Sequence, residues 1–204
     1  MKSDQATNNS KGCGGLMRVA PVGMFMSHWI GKDAEEIHTT FELAADTAGI
    51  THGHPTGRLT AGVFAAIIAL LLRGSTLKEA VGVAKGALRR HECHEETLAA
   101  IELAEELFIS EPNSATAIRK LGEGWVAEEA LAISLYCALC ARDLESGLIL
   151  AVNHDGDSDS TGSITGNLLG CVYGVRGIPE RWLEPLEVRA VVERMADALE
   201  SIPA

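Results

Sequence analysis

The sequence has few aromatic residues, little positive charge and no obvious cysteine pairing. Only 4% of its 204 residues are aromatic although 47% are hydrophobic, so Ala, Leu, Ile and Val must fill the interior. A core of small and aliphatic side chains favours many closely packed helices. The length suits one domain, and we expect residues 1–204 to form a single all-α domain.

Positive charge is scarce because 17 Lys and Arg face 28 Asp and Glu, which gives a formal net charge of -11. Such a surface repels phosphate backbones and anionic lipid headgroups. The longest apolar run, residues 61–72, is too short to cross a bilayer. We therefore expect no nucleic-acid partner and no membrane partner.

The five cysteines are scattered through apolar segments, with no secretory signal before them and no second pair at zinc-finger spacing. Free thiols in a reducing compartment are the simplest interpretation, and we expect a cytoplasmic protein. Four of the thiols are predicted to lie in the core: Cys93, Cys137, Cys140 and Cys171.

Apolar residues recur at helical spacing through most of the chain, and no sustained strand-type alternation is present. The central helix is predicted at Trp125–Cys140, whose apolar residues wrap around most of its circumference. A first helix is predicted to begin near Cys13 and to end or kink at Pro21. A later helix is predicted at Ser163–Tyr173, after an acidic turn.

The acidic turn, residues 154–162, carries three carboxylates and three hydroxyls next to glycines: Asp155, Asp157, Asp159, Ser158, Ser160 and Thr161. Oxygen ligands at this density suit Mg²⁺, Mn²⁺ or Ca²⁺. Apolar segments on both sides predict partial burial, and a cation would offset the repulsion between the carboxylates. The alternative is a solvated helix cap, in which Asp159 or Ser160 accepts from free amides.

Two other motifs share part of this spacing. The three alternating aspartates resemble an EF-hand, but that loop needs glycine where Ser160 lies and glutamate where Gly166 lies. Asp157-x-Asp159-x-Thr161 resembles the nucleophile loop of haloacid-dehalogenase-type phosphatases. That loop follows an N-terminal strand of a doubly wound sheet, whereas this turn comes late in a helical chain. Neither interpretation fits.

Four segments, in the same order along the chain, resemble the C-terminal portion of ADP-ribosylglycohydrolases. They are the residues 10–21 (SKGCGGLMRVAP), 51–55 (THGHP), 122–131 (GEGWVAEEAL) and 156–160 (GDSDS). The resemblance implies that family's compact, multi-helix orthogonal bundle. It also implies a hydrolase that removes ADP-ribose from modified proteins or small molecules.

The resemblance implies roles for particular residues. Asp157, Asp159 and Ser160 would supply part of a site for two Mg²⁺ ions, with Mn²⁺ also possible. The ADP-ribose-containing substrate would contact Ser10, Gly12, Cys13, Gly14, Gly15 and His52. Glycines allow backbone amides to approach a pyrophosphate closely, although an ordinary flexible turn is the alternative.

Three residues of the third segment are interpreted as structural. Trp125 is expected to pack within the bundle, while Glu128 and Glu129 favour a helix N-terminus. Cys137 and Cys140, three residues apart on the same predicted helix, are expected to be core thiols rather than ligands.

The family's N-terminal motifs are missing from this sequence. No Gly-Asp-x-x-Gly block and no Asp-Asp-Thr cluster precede Ser10, so the catalytic acidic residue is unknown. We expect weak Mg²⁺ affinity and little hydrolysis unless a separate N-terminal fragment supplies the missing ligands. Two alternatives stay open: a non-catalytic protein that binds ADP-ribose or another nucleotide through the glycine loop and His52, and a helical interaction protein. The substrate linkage is also open.

Overall fold

The fold is known from a computed structural model that describes residues 6–29 and 33–201. These residues form an all-α bundle with no strand, as the sequence predicts, and one isolated β-bridge joins Gly12 to Val126. The helices are α1 (Ala20–Met26), α2 (Ala34–Gly49), α3 (Pro55–Leu72), α4 (Leu77–Leu88), α5 (Glu95–Ser110), α6 (Ala115–Leu121), α7 (Ala127–Cys140), α8 (Leu144–Val152), α9 (Ser158–Tyr173), α10 (Glu180–Leu183) and α11 (Arg189–Glu200).

Helix α3 lies at the centre of the bundle and packs against α1, α2, α4, α7 and α9. It begins at Pro55, which suits the first helical turn, and the His54 side chain caps it by accepting from Thr56 N at 3.1 Å. The helix contains the apolar run of residues 61–72 and begins six residues before it. By length and composition it could cross a membrane, but 83% of it is buried inside the bundle, as is typical of a core helix.

Helix α7 is the second buried helix, and its predicted burial on most sides is confirmed. It packs against α3, α5, α8 and α9. Tyr136, fully buried on α7, donates to Glu111 O and accepts from Ser114 N at 2.8 Å. These bonds fix the turn that leads into α6, a helix that the apolar pattern did not predict.

Two predicted helix boundaries were wrong. Cys13–Gly15 forms a single 3₁₀ turn, and Pro21 lies in the first turn of α1 rather than ending a helix, because proline needs no hydrogen-bond acceptor there. Helix α9 begins at Ser158, five residues before the predicted start. Asp159 and Ser160 therefore lie in its first turn.

The cysteine predictions are only partly confirmed. Cys137 and Cys140 are buried thiols on α7, whereas Cys171 is half-buried. The prediction for Cys93 was wrong because this residue is exposed in the turn between α4 and α5, with a left-handed φ of 60°. All five thiols are free.

Candidate active site

The glycine loop, residues 10–15, lies along the segment that precedes α7. Cys13 N donates to Trp125 O at 3.1 Å, and Ala127 N donates to Lys11 O at 2.8 Å. These bonds flank the bridge between Gly12 and Val126. The start of α7 therefore sets the position of the loop.

The loop also closes around the imidazole of His52. A Cβ added at Gly12 or Gly14 would lie 3.5 Å from His52 Nε2, and one at Gly15 would lie 3.2 Å from the ring and from Ala48 Cβ. The distance at Gly12 and Gly14 is an ordinary van der Waals contact, whereas at Gly15 an added Cβ would be tight against the ring. The structure brings together Gly12, Gly14, Gly15 and His52, which are distant in the sequence.

Asn8, Arg18 and Thr51 hold His52 in place, and the sequence pattern did not single them out. Asn8 Nδ2 donates to Thr51 O at 3.0 Å, and Asn8 Oδ1 accepts from Ser10 N and Gly53 N at 3.0 and 3.2 Å. Arg18 Nη2 donates to Thr51 Oγ1 at 2.6 Å, and this hydroxyl lies 2.7 Å from His52 Nδ1. The Thr51 hydroxyl can donate its proton to His52 Nδ1 while its oxygen accepts from Arg18. Such a bond leaves Nε2 as the N–H donor facing the glycines.

Burial and the nearby Arg18 guanidinium lower the pKa of His52. The imidazole is therefore neutral at pH 7. A neutral ring offers one N–H donor, which suits a hydrogen bond to a phosphate or ribose oxygen.

The acidic turn is locked against the segment before α7. Asp157 N donates to Glu123 O at 2.7 Å, and a Cβ added at Gly156 would lie 1.9 Å from the same oxygen. Glu129 Oε2 in turn accepts from Glu123 N and Gly124 N at 3.0 and 3.1 Å. Glycine is thus required at position 156 because the Glu123 backbone lies so close to it. Glu129, for which a structural role was predicted, holds the Glu123–Gly124 backbone from the first turn of α7.

Asp157 and Ser160 meet the glycine loop at Cys13. The Cys13 thiol donates to Asp157 Oδ2 at 2.9 Å, and its sulfur lies 3.5 Å from Ser160 Oγ. Ser160 Oγ lies 3.3 Å from Met17 Sδ. Asp157 and Ser160 are buried, whereas Asp159 is exposed. The acidic turn and the glycine loop therefore form one continuous face.

The protonation states fit this arrangement. Burial raises the pKa of Asp157, but hydrogen bonds with Cys13, Ser160 and the Asp159 carboxyl outweigh it and give a net lowered pKa. Burial and the bond to Asp157 raise the pKa of Cys13 to about 11. At pH 7 a neutral thiol thus donates to an ionised carboxylate.

The donor set at the acidic turn fits part of a magnesium site. Asp157, Asp159 and Ser160 offer the hard oxygen atoms that Mg²⁺ prefers, and all three lie within four consecutive residues at the start of α9. Within the described residues, however, the turn does not bring three His, Cys, Asp or Glu side chains within reach of one ion. Further ligands are needed to complete such a site.

Comparison with known proteins identifies the family. The family model for ADP-ribosylglycohydrolase matches residues 1–203. This chain belongs to the ADP-ribosylglycohydrolase family. A solved structure described as an ADP-ribosylglycohydrolase-related protein complex superposes with a TM-score of 0.66 at 30% identity, covering 97% of this chain and 61% of that one.

Two curated relatives have names that state an enzymatic activity. ADP-ribosylarginine hydrolase Tri1 of Pseudomonas putida is 25% identical over 94% of this chain and 46% of its own length. The human ADP-ribosylhydrolase ARH3 is 24% identical over 95% of this chain and 58% of its own length. The chain thus spans about half the length of the curated relatives it matches.

In this family member, Lys11 ties the glycine loop to two helices. Its ammonium pairs with Glu128 on α7 and with Glu96 on α5 at 2.6 Å. Glu128 is buried and its Oε2 has no hydrogen-bond partner, and burial raises the pKa of this carboxyl. Thr56 Oγ1 donates to Glu96. The sequence interpretation of Glu128 as a helix-start residue omitted this buried ion pair.

Trp125 lies on the outer side of the glycine loop, and its expected packing within the bundle was wrong. The residue is 59% exposed although its carbonyl accepts from Cys13 N. Its backbone is fixed while its indole faces solvent, which leaves a flat aromatic surface beside the candidate site.

Proposed function

We propose that this chain forms the ADP-ribose-binding face, and one part of the metal site, of a magnesium-dependent ADP-ribosylglycohydrolase. Its substrate would be an ADP-ribosylated protein or small molecule. The observation that carries the proposal is the meeting of the glycine loop, His52 and the acidic turn through the contacts of Cys13 with Asp157 and Ser160. The names of Tri1 and ARH3 support an ADP-ribosyl substrate.

The residues of this face would bind the nucleotide and orient its ribose. Ser10 and the glycines at 12, 14 and 15 allow the backbone to approach the pyrophosphate, and the neutral His52 donates a hydrogen bond from Nε2. The exposed indole of Trp125 offers a stacking surface for the base. These contacts would hold the scissile bond at ribose C1 in a fixed position.

Asp157, Asp159 and Ser160 would hold Mg²⁺, or Mn²⁺, at the ribose end of the nucleotide. A bound Mg²⁺ would orient the ribose hydroxyls and polarise a water. Asp157 is ionised and its Oδ2 accepts from Cys13, so this carboxylate would supply a hard oxygen ligand. The remaining ligands and the acidic residue for hydrolysis would come from residues other than these, for example from a separate polypeptide. The free thiols and acidic surface are compatible with the cytoplasmic location that we propose.

Calorimetric titration of ADP-ribose, with Mg²⁺ and with a chelator, tests the proposal. We expect Mg²⁺ to strengthen binding, and Asp157→Asn to weaken the Mg²⁺-dependent part at least about tenfold because a carboxylate ligand is lost. Asp155→Asn is the matched control, since it removes an exposed charge from the same turn. Equal effects of the two substitutions, or binding indifferent to Mg²⁺, would contradict the proposed site.

A second candidate is ADP-ribose binding without turnover. It is favoured by the absence, within the described residues, of a complete ligand set at the acidic turn. Incubation of the chain with an ADP-ribosylated peptide separates the two candidates. Release of ADP-ribose that Asp157→Asn abolishes would establish hydrolysis, while Mg²⁺-dependent binding without release would establish the second candidate.

A further inference from the structure

A second group of metal-binding side chains lies between α2 and the end of α4. It consists of His38 and Glu42, one turn apart on α2, and His91 in the turn after α4. One ligand atom from each side chain lies within 4.8 Å of the others. The group shares no residue with the candidate active site.

The separations are close to those of a zinc site. Glu42 Oε1 lies 3.3 Å from His91 Nε2 and 3.8 Å from His38 Nε2. Zinc–nitrogen bonds of about 2.0–2.1 Å imply that neighbouring ligands of a tetrahedral ion lie roughly 3.3 Å apart. One pair already has this spacing, the second is about 0.5 Å wider, and all three ligand atoms lie within 4.8 Å of one another.

The hydrogen bonding of the cluster is incomplete. His91 Nε2 is buried without a hydrogen-bond partner, although it lies 3.3 Å from Glu42 Oε1, because the geometry of that contact does not make a hydrogen bond. His38 Nδ1 is also buried without a partner. Buried polar atoms are normally satisfied, and a cation bound between the imidazoles and the carboxylate would satisfy His91 Nε2 directly.

The His91 ring is held in position by the core. It stacks on Phe41, with centroids 4.6 Å apart and an interplanar angle of 14°, and lies 5.2 Å from the His38 ring. Phe41 is itself fully buried against Gly62, where any Cβ would lie 2.6 Å from the ring. This fixed orientation lowers the ordering cost of binding an ion.

The two arginines near His91 are each paired with a carboxylate. Arg58 pairs with Asp46 at 3.2 Å, and Arg90 pairs with Glu35 at 3.1 Å. Burial lowers the pKa of His91, and His38 and these arginines act in the same direction, whereas Glu42 opposes them. A neutral imidazole is the form that binds metal.

The cluster is open on one side. Glu42 is 46% exposed, and together with His91 it lines a cleft of about 250 Å³. Glu92 and Cys93 line the same cleft. A fourth coordination position could therefore be filled by water or by one of these side chains.

We propose that His38, Glu42 and His91 bind one Zn²⁺ ion, which joins α2 to the turn between α4 and α5. Two imidazoles and one carboxylate favour a late first-row divalent cation over Mg²⁺, which prefers oxygen ligands. The ion acts as a structural cross-link, because it connects segments that are about fifty residues apart in the sequence. It is independent of the acidic turn and of hydrolysis.

Two titrations of the full chain test the proposal. Co²⁺ binding is followed by visible ligand-field absorption, and Zn²⁺ binding is measured by calorimetry. Excess Mg²⁺ occupies hard sites, and each titration is run both on the unaltered chain and on Cys93→Ser, which shows whether the thiol in the cleft is the fourth ligand. We expect one ion per chain and a melting temperature that rises with Zn²⁺ concentration. Absence of stoichiometric binding under these conditions would overturn the proposal.

Substitutions locate the ion. Glu42→Gln changes a half-exposed side chain and should leave folding intact, while His91→Gln removes the fixed imidazole. Loss of a residue that only hydrogen-bonds to a metal ligand typically weakens metal binding by roughly 10–100-fold. Because each of these two substitutions removes a ligand itself, each should weaken Zn²⁺ binding by more than that. His28→Gln and Asp157→Asn are controls that should retain full affinity. Unchanged Zn²⁺ binding in folded Glu42→Gln and His91→Gln, judged by the helical circular-dichroism spectrum, would also overturn the proposal.

Discussion

At the scale of single residues, neighbours remote in sequence set the chemistry of the candidate site. His52 is neutral because it is buried beside Arg18, and its ring is oriented by Thr51. Cys13 keeps its proton because it is buried against the Asp157 carboxylate. These states depend on contacts between elements, so the same residues would titrate differently in an unfolded chain.

The lowered pKa of His52 predicts that this residue makes part of the folding stability depend on pH. The unfolded state binds a proton near pH 6.5, before the folded state does, so stability falls as the pH drops from about 7 through that range. In His52→Gln this component is lost, and stability should fall less on acidification. Urea unfolding at a series of pH values, with a chelator present, measures the difference between the two proteins.

The comparison has an internal control. Above about pH 7 the imidazole is neutral in both states, so the two stability curves should run parallel there. They should diverge only below that pH. Curves that stay parallel down to pH 5 would contradict the assignment of a lowered pKa to His52.

At the scale of elements, the site depends on where helices begin. The early start of α9 places Ser160 in the first turn, close to Cys13, and α7 begins where the glycine loop pairs with residues 125–127. Lys11 reinforces this junction by pairing with Glu128 in the first turn of α7 and with Glu96 in the first turn of α5. Three elements thus meet at one lysine.

Lys11→Ala is predicted to destabilise the fold because it leaves the buried Glu128 carboxylate without a cation. We expect the free energy of unfolding to fall by about 2 kcal/mol. This value lies between the roughly 0–1 kcal/mol contributed by an exposed ion pair and the roughly 3–5 kcal/mol lost when a buried pair is broken. Urea denaturation gives the value. In a Glu128→Gln background the same substitution should cost much less, and equal costs in both backgrounds would show that the ion pair does not matter.

At the scale of the whole molecule, small residues let helices approach α3 closely. Ala61, Ala65, Ala66 and Ala69 on α3 are fully buried. Gly23 on α1 faces them so closely that a Cβ there would lie 2.5 Å from Ala65 O and 2.9 Å from Ile68 Cβ. The scarcity of aromatic residues is compensated by this short separation between backbones.

Two glycine substitutions should have opposite effects on stability. Gly23→Ala forces α1 away from α3 and should destabilise by about 1–3 kcal/mol, which outweighs the gain in helix propensity. Gly82→Ala, on α4 with nothing within 4 Å of the new Cβ, should stabilise by up to about 1 kcal/mol. Thermal unfolding of the two variants checks the signs, and stabilisation by both would contradict the close packing of α1 on α3.

The sequence by itself determined the fold class and the burial of α7 on most sides, and it indicated the candidate site residues, whereas the central helix of the bundle is α3. Helical periodicity is a local property, so α3 and α7 could be predicted from their apolar patterns. The dense carboxylates of residues 154–162 indicated a cation site because hard oxygen ligands recur at short spacing. The family resemblance supplied the glycine loop and His52 as possible neighbours of that site.

Only the tertiary structure decided which of these residues are in contact and which protonation states they have. Cys13 contacts Asp157 because the loop is anchored to α7, and Trp125 faces solvent although Ala127, two residues later, is fully buried. The cluster of His38, Glu42 and His91 had no sequence signal, since two residues lie on α2 and the third lies beyond α4. Periodicity specifies which face of a helix is buried, whereas long-range contacts depend on how the helices cross and where their ends lie.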